Sequence, residues 1–555
     1  MKFFLSLLFF TFLYNSCFSQ DSVTVMDIRA AEKIISLNFT AAKEDSLLQS
    51  VQAQAKTFDK MHLYSLDNSV PMSMAQSPLL PYMHLPAMNS LNHKKQLRVP
   101  FNIPSGITIP SDKNELAFYS IPQLASLIKN KKISSVELTQ YFINRLKKYG
   151  DTLQCVISLT EDIAMQQAVE ADKEIAAGKY RGLLHGIPYG LKDLFAVRGT
   201  KTTWGAEPYK NQVIDYNSYV YTKLKEAGAV LIAKLTLGAL AMDDYWFGGR
   251  TKNPWNMLEG SSGSSAGSAA ATVAGLVPFA IGTETYGSII SPSTVCGATG
   301  LRPTFGSISR SGAMTLSWSL DKAGPICRSA EEAAIVFYYL HGTDGRDAAA
   351  VNMPFNYTGK ADLSKMKIAY AKNYFGKKDT LGNENSVLEV FRKAGAQLIP
   401  VDFPDSGIYN FDIMGIVIGS ESAAAFDGFT RTGLDDKMTR QGKNEWPNFF
   451  RASRFIPAVE YVNANRHRYL LMQQVNEVIE KYDVIICPTW GGNQAAITNL
   501  TGHPAISMPT GFNKKNSPTS ITLVGKLYDE ATLLAIAKVY QDATQWNKLH
   551  PVFFK

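Results

Sequence analysis

Cysteine, histidine and long apolar runs are all scarce in this chain of 555 residues, and each scarcity closes off a class of function. There are 5 cysteines, and four of them, Cys155, Cys296, Cys327 and Cys487, stand far apart with no CxxC pair. The usual sequence patterns of zinc sites and thioredoxin-like redox centres are therefore excluded. In an apolar setting such as Ile485-Ile486-Cys487-Pro488, a buried free thiol is expected. The 8 histidines are scattered and form no His-Glu-x-x-His cluster, so neither a metal nor another cofactor is expected. Basic residues number 56 against 48 acidic ones, a formal charge of +8, but no dense Lys/Arg block or aromatic-basic array occurs. The excess reads as a solvated surface, and no nucleic-acid partner is expected. After the first residues no apolar stretch is long enough to span a bilayer.

What is present begins with a leader. Met1-Lys2-Phe3-Phe4-Leu5-Ser6-Leu7-Leu8-Phe9-Phe10 has the positive start and apolar run of a secretory signal peptide, with small residues near Ser19 as a cleavage site. Residues 1–19 are expected to be removed, leaving an exported protein, periplasmic or extracellular, with no integral membrane segment. Residues 20–114 read as an N-terminal helical segment and a proline-rich connector. From Asp27 to Met61 the pattern is helical, with Leu47, Leu48, Val51, Ala55 and Phe58 on one face. Seven prolines between Val70 and Asp112 then predict an extended surface segment, apolar enough to pack on the core. Residues 115–555 form the main domain. There Ser134-Ser135-Val136-Glu137 predicts a capping box, Leu138, Phe142 and Leu146 a buried stripe, and Gly150 a helix end. Short β-rich runs at Val230–Ala233, Met366–Tyr370, Asp483–Cys487 and Ala505–Met508 alternate with helical patterns, and Glu530–Tyr540 reads as a helix capped by Asp529. That alternation predicts a layered α/β architecture with a mainly parallel or mixed sheet.

The chemistry concentrates between Gly186 and Pro325. One lysine lies in Gly186-Ile187-Pro188-Tyr189-Gly190-Leu191-Lys192-Asp193. A serine cluster follows at Gly260-Ser261-Ser262-Gly263-Ser264-Ser265-Ala266-Gly267-Ser268, and a further serine in Gly282-Thr283-Glu284-Thr285-Tyr286-Gly287-Ser288-Ile289. A serine hydroxyl becomes a nucleophile when a base takes its proton, and a desolvated lysine is able to act as that base. Glycines beside the serine let backbone N–H groups approach a developing oxyanion. Lysine and two serines are thus parts for acyl transfer without histidine.

Together with Gly300-Leu301-Arg302-Pro303-Thr304, Ser319-Leu320-Asp321-Lys322-Ala323-Gly324-Pro325 and Asn499-Leu500-Thr501-Gly502-His503-Pro504-Ala505, these segments resemble the amidase signature family, in family order from about Glu115 to Asp542. The resemblance implies a large twisted mixed β-sheet sandwiched by α-helices. It implies an amidase that attacks a linear carboxylic amide, small molecule or peptide, with Ser288 as nucleophile, Ser264 as the bridging serine after a cis peptide bond, and Lys192 as base. Backbone N–H groups of Thr285, Tyr286, Gly287 and Ser288 would hold the oxyanion. Asp193 is read as support rather than as a base, and Ser261, Ser262 and Ser265 as loop and helix-start residues bonding their own backbone.

The chain departs from the family pattern at Tyr286, where a glycine is common, at Ile290, where many relatives carry arginine, and at Lys234-Leu235-Thr236. These changes bear on the acyl pocket. Three other readings fit parts of the sequence. Gly263-Ser264-Ser265-Ala266-Gly267 satisfies the G-x-S-x-G of α/β-hydrolases, though Asn253–Glu259 before it reads as loop rather than strand. A glutaminase subunit of a tRNA-dependent amidotransferase is a second, opposed by the leader. A catalytically silent amidase-like binding protein is the third, opposed by retention of all three catalytic residues.

Overall fold

A computed structural model describes residues 22–64, 101–375, 383–405 and 407–555. The expected leader, residues 1–19, and most of the proline-rich connector lie outside the described residues. The central sheet has eleven strands. In chain order they are β1 (Val156–Leu159), β2 (Pro188–Lys192), β3 (Val230–Leu235), β4 (Ala280–Glu284), β5 (Thr299–Arg302), β6 (Lys322–Cys327), β7 (Ile368–Ala371), β8 (Leu398–Val401), β9 (Val484–Pro488), β10 (Ala505–Phe512) and β11 (Pro518–Gly525). Their spatial order is β1-β3-β2-β4-β6-β5-β10-β11-β9-β7-β8. The sheet is mixed: β3, β2 and β4 run parallel, as do β9, β7 and β8, and antiparallel pairs join the two groups.

β2, β3, β9 and β11 are buried along their whole length, as expected where helices cover both faces of a sheet. Each fully buried Val, Leu or Ile there contributes about 1.5–3 kcal/mol. The runs read as strands at Val230–Ala233, Met366–Tyr370, Asp483–Cys487 and Ala505–Met508 are β3, β7, β9 and β10, with edges moved by up to four residues, whereas β2 and β11 were not among the expected strands. The capping box at Ser134 and Glu137 is formed, and Leu138, Phe142 and Leu146 are buried. That helix runs past Gly150 to Leu153 and ends at Gln154 in the left-handed region, so Gly150 does not close it. Asp529 caps helix Glu530–Thr544 by accepting from Thr532 N.

Two further expectations change. Residues 27–61 form two helices, Val25–Ile34 and Ala41–His62, separated where Ser36 takes φ 53° and Phe39 N donates to the Glu32 carboxylate. The segment before the serine cluster is a small hairpin, Lys252–Asn253 against Asn256–Gly260, outside the main sheet. Asn253 and Asn256 build it by accepting from the N–H groups two residues ahead, a local signal that also reads as loop. Among residues 101–112, Phe101, Ile103 and Ile107 pack against the core, as the apolar connector predicts. Cys155, Cys296, Cys327 and Cys487 are buried free thiols, and burial pushes the Cys155 thiol up to about 12. No helix among the described residues is long and apolar enough to cross a membrane.

Candidate active site

The parallel pairing of β2 with β4 builds the site. Gly190 faces Ala280 and Leu191 faces Ile281, so Lys192 and Thr283 emerge side by side at the carboxyl ends of adjacent strands. The serine cluster comes in from above on the start of helix Ala266–Val273. Every residue of that helix is buried, and its small side chains permit the approach. At Gly267 a Cβ would meet Cys155 O at 2.5 Å and Thr236 N at 2.6 Å, so only glycine lets the helix lie this close to the strand behind it. The Gly263–Ser264 peptide bond is cis.

Lys192 is fully buried. Its Nζ lies 2.8 Å from Ser264 Oγ, 3.0 Å from Ser265 Oγ, 2.9 Å from Thr283 Oγ1 and 3.3 Å from Thr283 O. All four partners are neutral oxygens. Burial pulls the amine well below the usual lysine range, and the charges of Asp321 and Glu284 only partly oppose it. A neutral amine bonded to a serine hydroxyl is able to accept its proton.

Asp193 does not touch this amine. One of its oxygens lies 2.6 Å from Lys234 Nζ, and the other accepts from Thr203 N at 2.7 Å and Thr203 Oγ1 at 2.5 Å. Lys234, which keeps the lysine of the family's K-T-N pattern while the residues after it depart from that pattern, is thereby the counter-ion that holds Asp193 away from Lys192.

Ser288 is buried, and its carbonyl accepts from Ser265 N at 3.1 Å, which sets the Ser288 backbone against the serine cluster. Among the described residues, the N–H groups of Thr285, Tyr286, Gly287 and Ser288 find no acceptor within the protein. Gly287 takes φ +80°, and the space where its side chain would stand is open. Successive unpaired N–H groups around a left-handed glycine form a concave nest suited to an anionic oxygen.

This segment is anchored at both ends by groups that sequence reasoning passed over. Glu284 Oε2 accepts from Ile289 N at 2.8 Å and Ile290 N at 3.0 Å, just after Ser288. Its Oε1 accepts from Arg302 Nη1 at 3.0 Å and Asn499 Nδ2 at 2.9 Å. Burial alone would raise this carboxyl, but Arg302 and Lys322 hold it down at about 2. At the other end Thr285 Oγ1 donates to Asp321 Oδ1 at 2.6 Å, and Asp321 Oδ2 accepts from Leu316 N and Ser317 N. The signal for these roles was present as the Gly-Leu-Arg-Pro-Thr, Ser-Leu-Asp-Lys and Asn-Leu-Thr-Gly motifs, but which motif pairs with which is invisible along the chain. Ser265 is a correction as well: its hydroxyl meets Lys192 and both backbone groups of Thr283 rather than its own backbone. Ser261 Oγ bonds Ser262 O, as expected of a loop serine, and Ser262 Oγ pairs with Ser291 Oγ.

A family model described as Amidase matches residues 137–496. The chain belongs to the amidase family. Curated relatives of this amidase-family enzyme include a glutamyl-tRNA(Gln) amidotransferase subunit of Coxiella burnetii, 33% identical over 479 residues, covering 78% of this chain and 99% of that protein. The corresponding subunit of Legionella pneumophila is 32% identical over 480 residues, with 78% and 99% covered. Among solved structures, the native peptide amidase of Stenotrophomonas maltophilia superposes with TM-score 0.70 at 26% identity, covering 78% of this chain and 98% of that one. A bacterial aryl acylamidase gives TM-score 0.69 at 22% identity, with 78% and 98% covered, and that likeness is one of fold.

Proposed function

We propose that this amidase-family enzyme hydrolyses a linear carboxylic amide through an acyl-enzyme on Ser288. The observation that carries the reading is Lys192, fully buried and bonded to the neutral oxygens of Ser264, Ser265 and Thr283 but to no carboxylate. Ser288 Oγ attacks the amide carbon while its proton passes through Ser264 to Lys192 Nζ. The carbonyl oxygen becomes an oxyanion in the nest of N–H groups from Thr285 to Ser288. Return of the proton to the amide nitrogen lets the C–N bond break and releases ammonia or an amine. Water then adds to the Ser288 ester by the same proton path in reverse. With a leader-like N-terminus, the enzyme would work outside the cytoplasm on small-molecule or peptide amides.

Covalent labelling by a fluorophosphonate tests the reading. Wild-type protein should label at Ser288 and Ser288→Ala should not, whereas a silent binding protein would label in neither form. Labelling of the Ser288→Ala variant at Ser265 would move the chemistry to the α/β-hydrolase arrangement.

A second reading is favoured by the names of the relatives: a glutaminase-type subunit that supplies ammonia to a tRNA-dependent partner. Ammonia release by the isolated chain from simple amides, with no preference for glutamine, would exclude it. Turnover of glutamine alone, and only in the presence of partner subunits, would establish it.

A further inference from the structure

Two half-exposed aromatic rings stand at the mouth of this site. Tyr286, two residues before Ser288, is 38% exposed, and Phe411, the first residue of helix Phe411–Ala425, is 53% exposed. Their centroids are 6.0 Å apart with planes inclined by 40°. Gly287, the residue between Tyr286 and Ser288 in the chain, has open space where a side chain would stand. Large rings grouped in water beside an opening mark a place where an apolar group is received. Tyr286 belongs to the oxyanion segment itself, and the phenol in place of the glycine common in relatives makes this mouth a property of this chain.

The position of Phe411 is set from outside the matched domain. The turn 407–410 leads into it, and Tyr64, just beyond helix Ala41–His62, sits against Gly407. Lys60 Nζ lies 3.2 Å from Asp412 Oδ2, and the Thr57 hydroxyl 3.5 Å from Asp412 Oδ1. Asn410 completes the corner by accepting from Asp412 N at 2.6 Å. The second N-terminal helix and Tyr64 just after it therefore hold Asp412, next to Phe411, and Gly407 at the start of the turn that leads into it.

The geometry points to Tyr286 and Phe411 as an aromatic clamp for a phenyl-sized or similarly flat apolar group beside the scissile carbonyl, with the second N-terminal helix as the element that positions Phe411. This inference rests on the amidase reading and names the substrate class for the same site. Contact with two rings, added to removal of a phenyl group from water, amounts to a preference of about tenfold or more in kcat/KM.

The test compares kcat/KM in two pairs, phenylacetamide against propionamide and acetanilide against N-methylacetamide. Each variant is also checked by its melting temperature, and Ser288 reactivity is read separately with an ethyl fluorophosphonate. Wild type should favour the phenyl-bearing member of at least one pair by about tenfold or more, and the pair concerned tells whether the group lies on the acyl or the amine side. Phe411→Ala should reduce that preference to about threefold or less. Phe411→Leu, which keeps apolar volume but not the ring, should do the same, so that unfolding of the alanine variant does not rescue the idea. Lys60→Ala should lower the preference to an intermediate value and Lys60→Arg should restore it, a change in selectivity that a merely structural lysine would not produce. A preference unchanged in both Phe411 variants, or labelling of wild-type Ser288 without any phenyl preference, overturns the clamp and leaves the amidase reading standing. Absence of labelling at Ser288 overturns the amidase reading and the clamp with it.

Discussion

Around Lys192 the charges are buried and paired, whereas the ion pairs between the N-terminal helices and the rest of the protein stay partly in water. Arg302 and Glu284 pair at 1% and 0% exposure, and Lys234 and Asp193 are both fully buried. Lys60 keeps 57% of its side chain exposed against Asp412, and Lys43 pairs with an Asp436 that is 51% exposed. The small core beneath the helices is Ile28, Leu47, Val51 and Ala452, separate from the main one. A buried pair is costly to break, because the survivor is left charged in a medium of low dielectric, while an exposed pair is screened. The first region should therefore fail completely under single substitutions. The second should yield by degrees, as suits a part that adjusts selectivity rather than chemistry.

The strongest challenge to this contrast is at the reacting groups. Ser288→Ala should abolish turnover with the fold intact, read by activity and melting temperature together. Lys192→Ala should cut turnover by about a thousandfold or more, and Lys192→Arg should not restore it, because a guanidinium stays charged at every accessible pH. In wild type, burial pulls the Lys192 amine below the usual lysine range, so the base is present above its lowered pKa and lost below it. The rate should thus rise with pH to a midpoint well under about 10.4. An Arg variant with substantial activity would show that Lys192 supplies charge rather than proton transfer. Ser264→Ala comes next, with a loss of about 10²–10⁴-fold in kcat, and a loss below tenfold would make Ser264 structural.

Smaller effects separate the two regions further. Arg302→Met should cost about 3–5 kcal/mol of stability, since Glu284 loses its ion pair inside the core. It should also depress kcat, because Glu284 holds the N–H groups that follow Ser288. Denaturant melts read the first effect and kinetics the second. Leu47→Ala should cost about 2–3 kcal/mol, confined to the N-terminal helices and visible as local hydrogen exchange there, with little change in kcat toward a small amide. Lys60→Ala should leave the melting temperature within about 2 °C of wild type. A global loss of activity with Leu47→Ala would dissolve the distinction between the regions.

Lys192, Ser264 and Ser288 stand out along the chain because acyl transfer demands particular residue types in glycine-rich settings, and each such setting is local. Four of the eleven strands, β3, β7, β9 and β10, stand out for a similar reason: short apolar runs between turn signals report burial in a sheet. The break at Ser36 and the hairpin before Ser261 were less visible, since short polar residues favour loops, caps and tight turns alike. Beyond that, tertiary structure decided the partnerships. Glu284 with Arg302 and Asn499, Asp193 with Lys234, Ser265 with Lys192, and Lys60 with Asp412 each join residues distant in sequence. Nothing in a side chain's own neighbourhood encodes which remote group will satisfy it once water is excluded. The sequence by itself determined which groups are available for the proposed acyl transfer, because serine hydroxyls, a lysine amine and backbone donors are properties of residue type and short motif. Only the fold decided that the Lys192 amine is buried and pulled below the usual lysine range, and that Tyr286 and Phe411 meet as half-exposed rings, because both follow from packing, and packing belongs to the whole chain rather than to any segment of it.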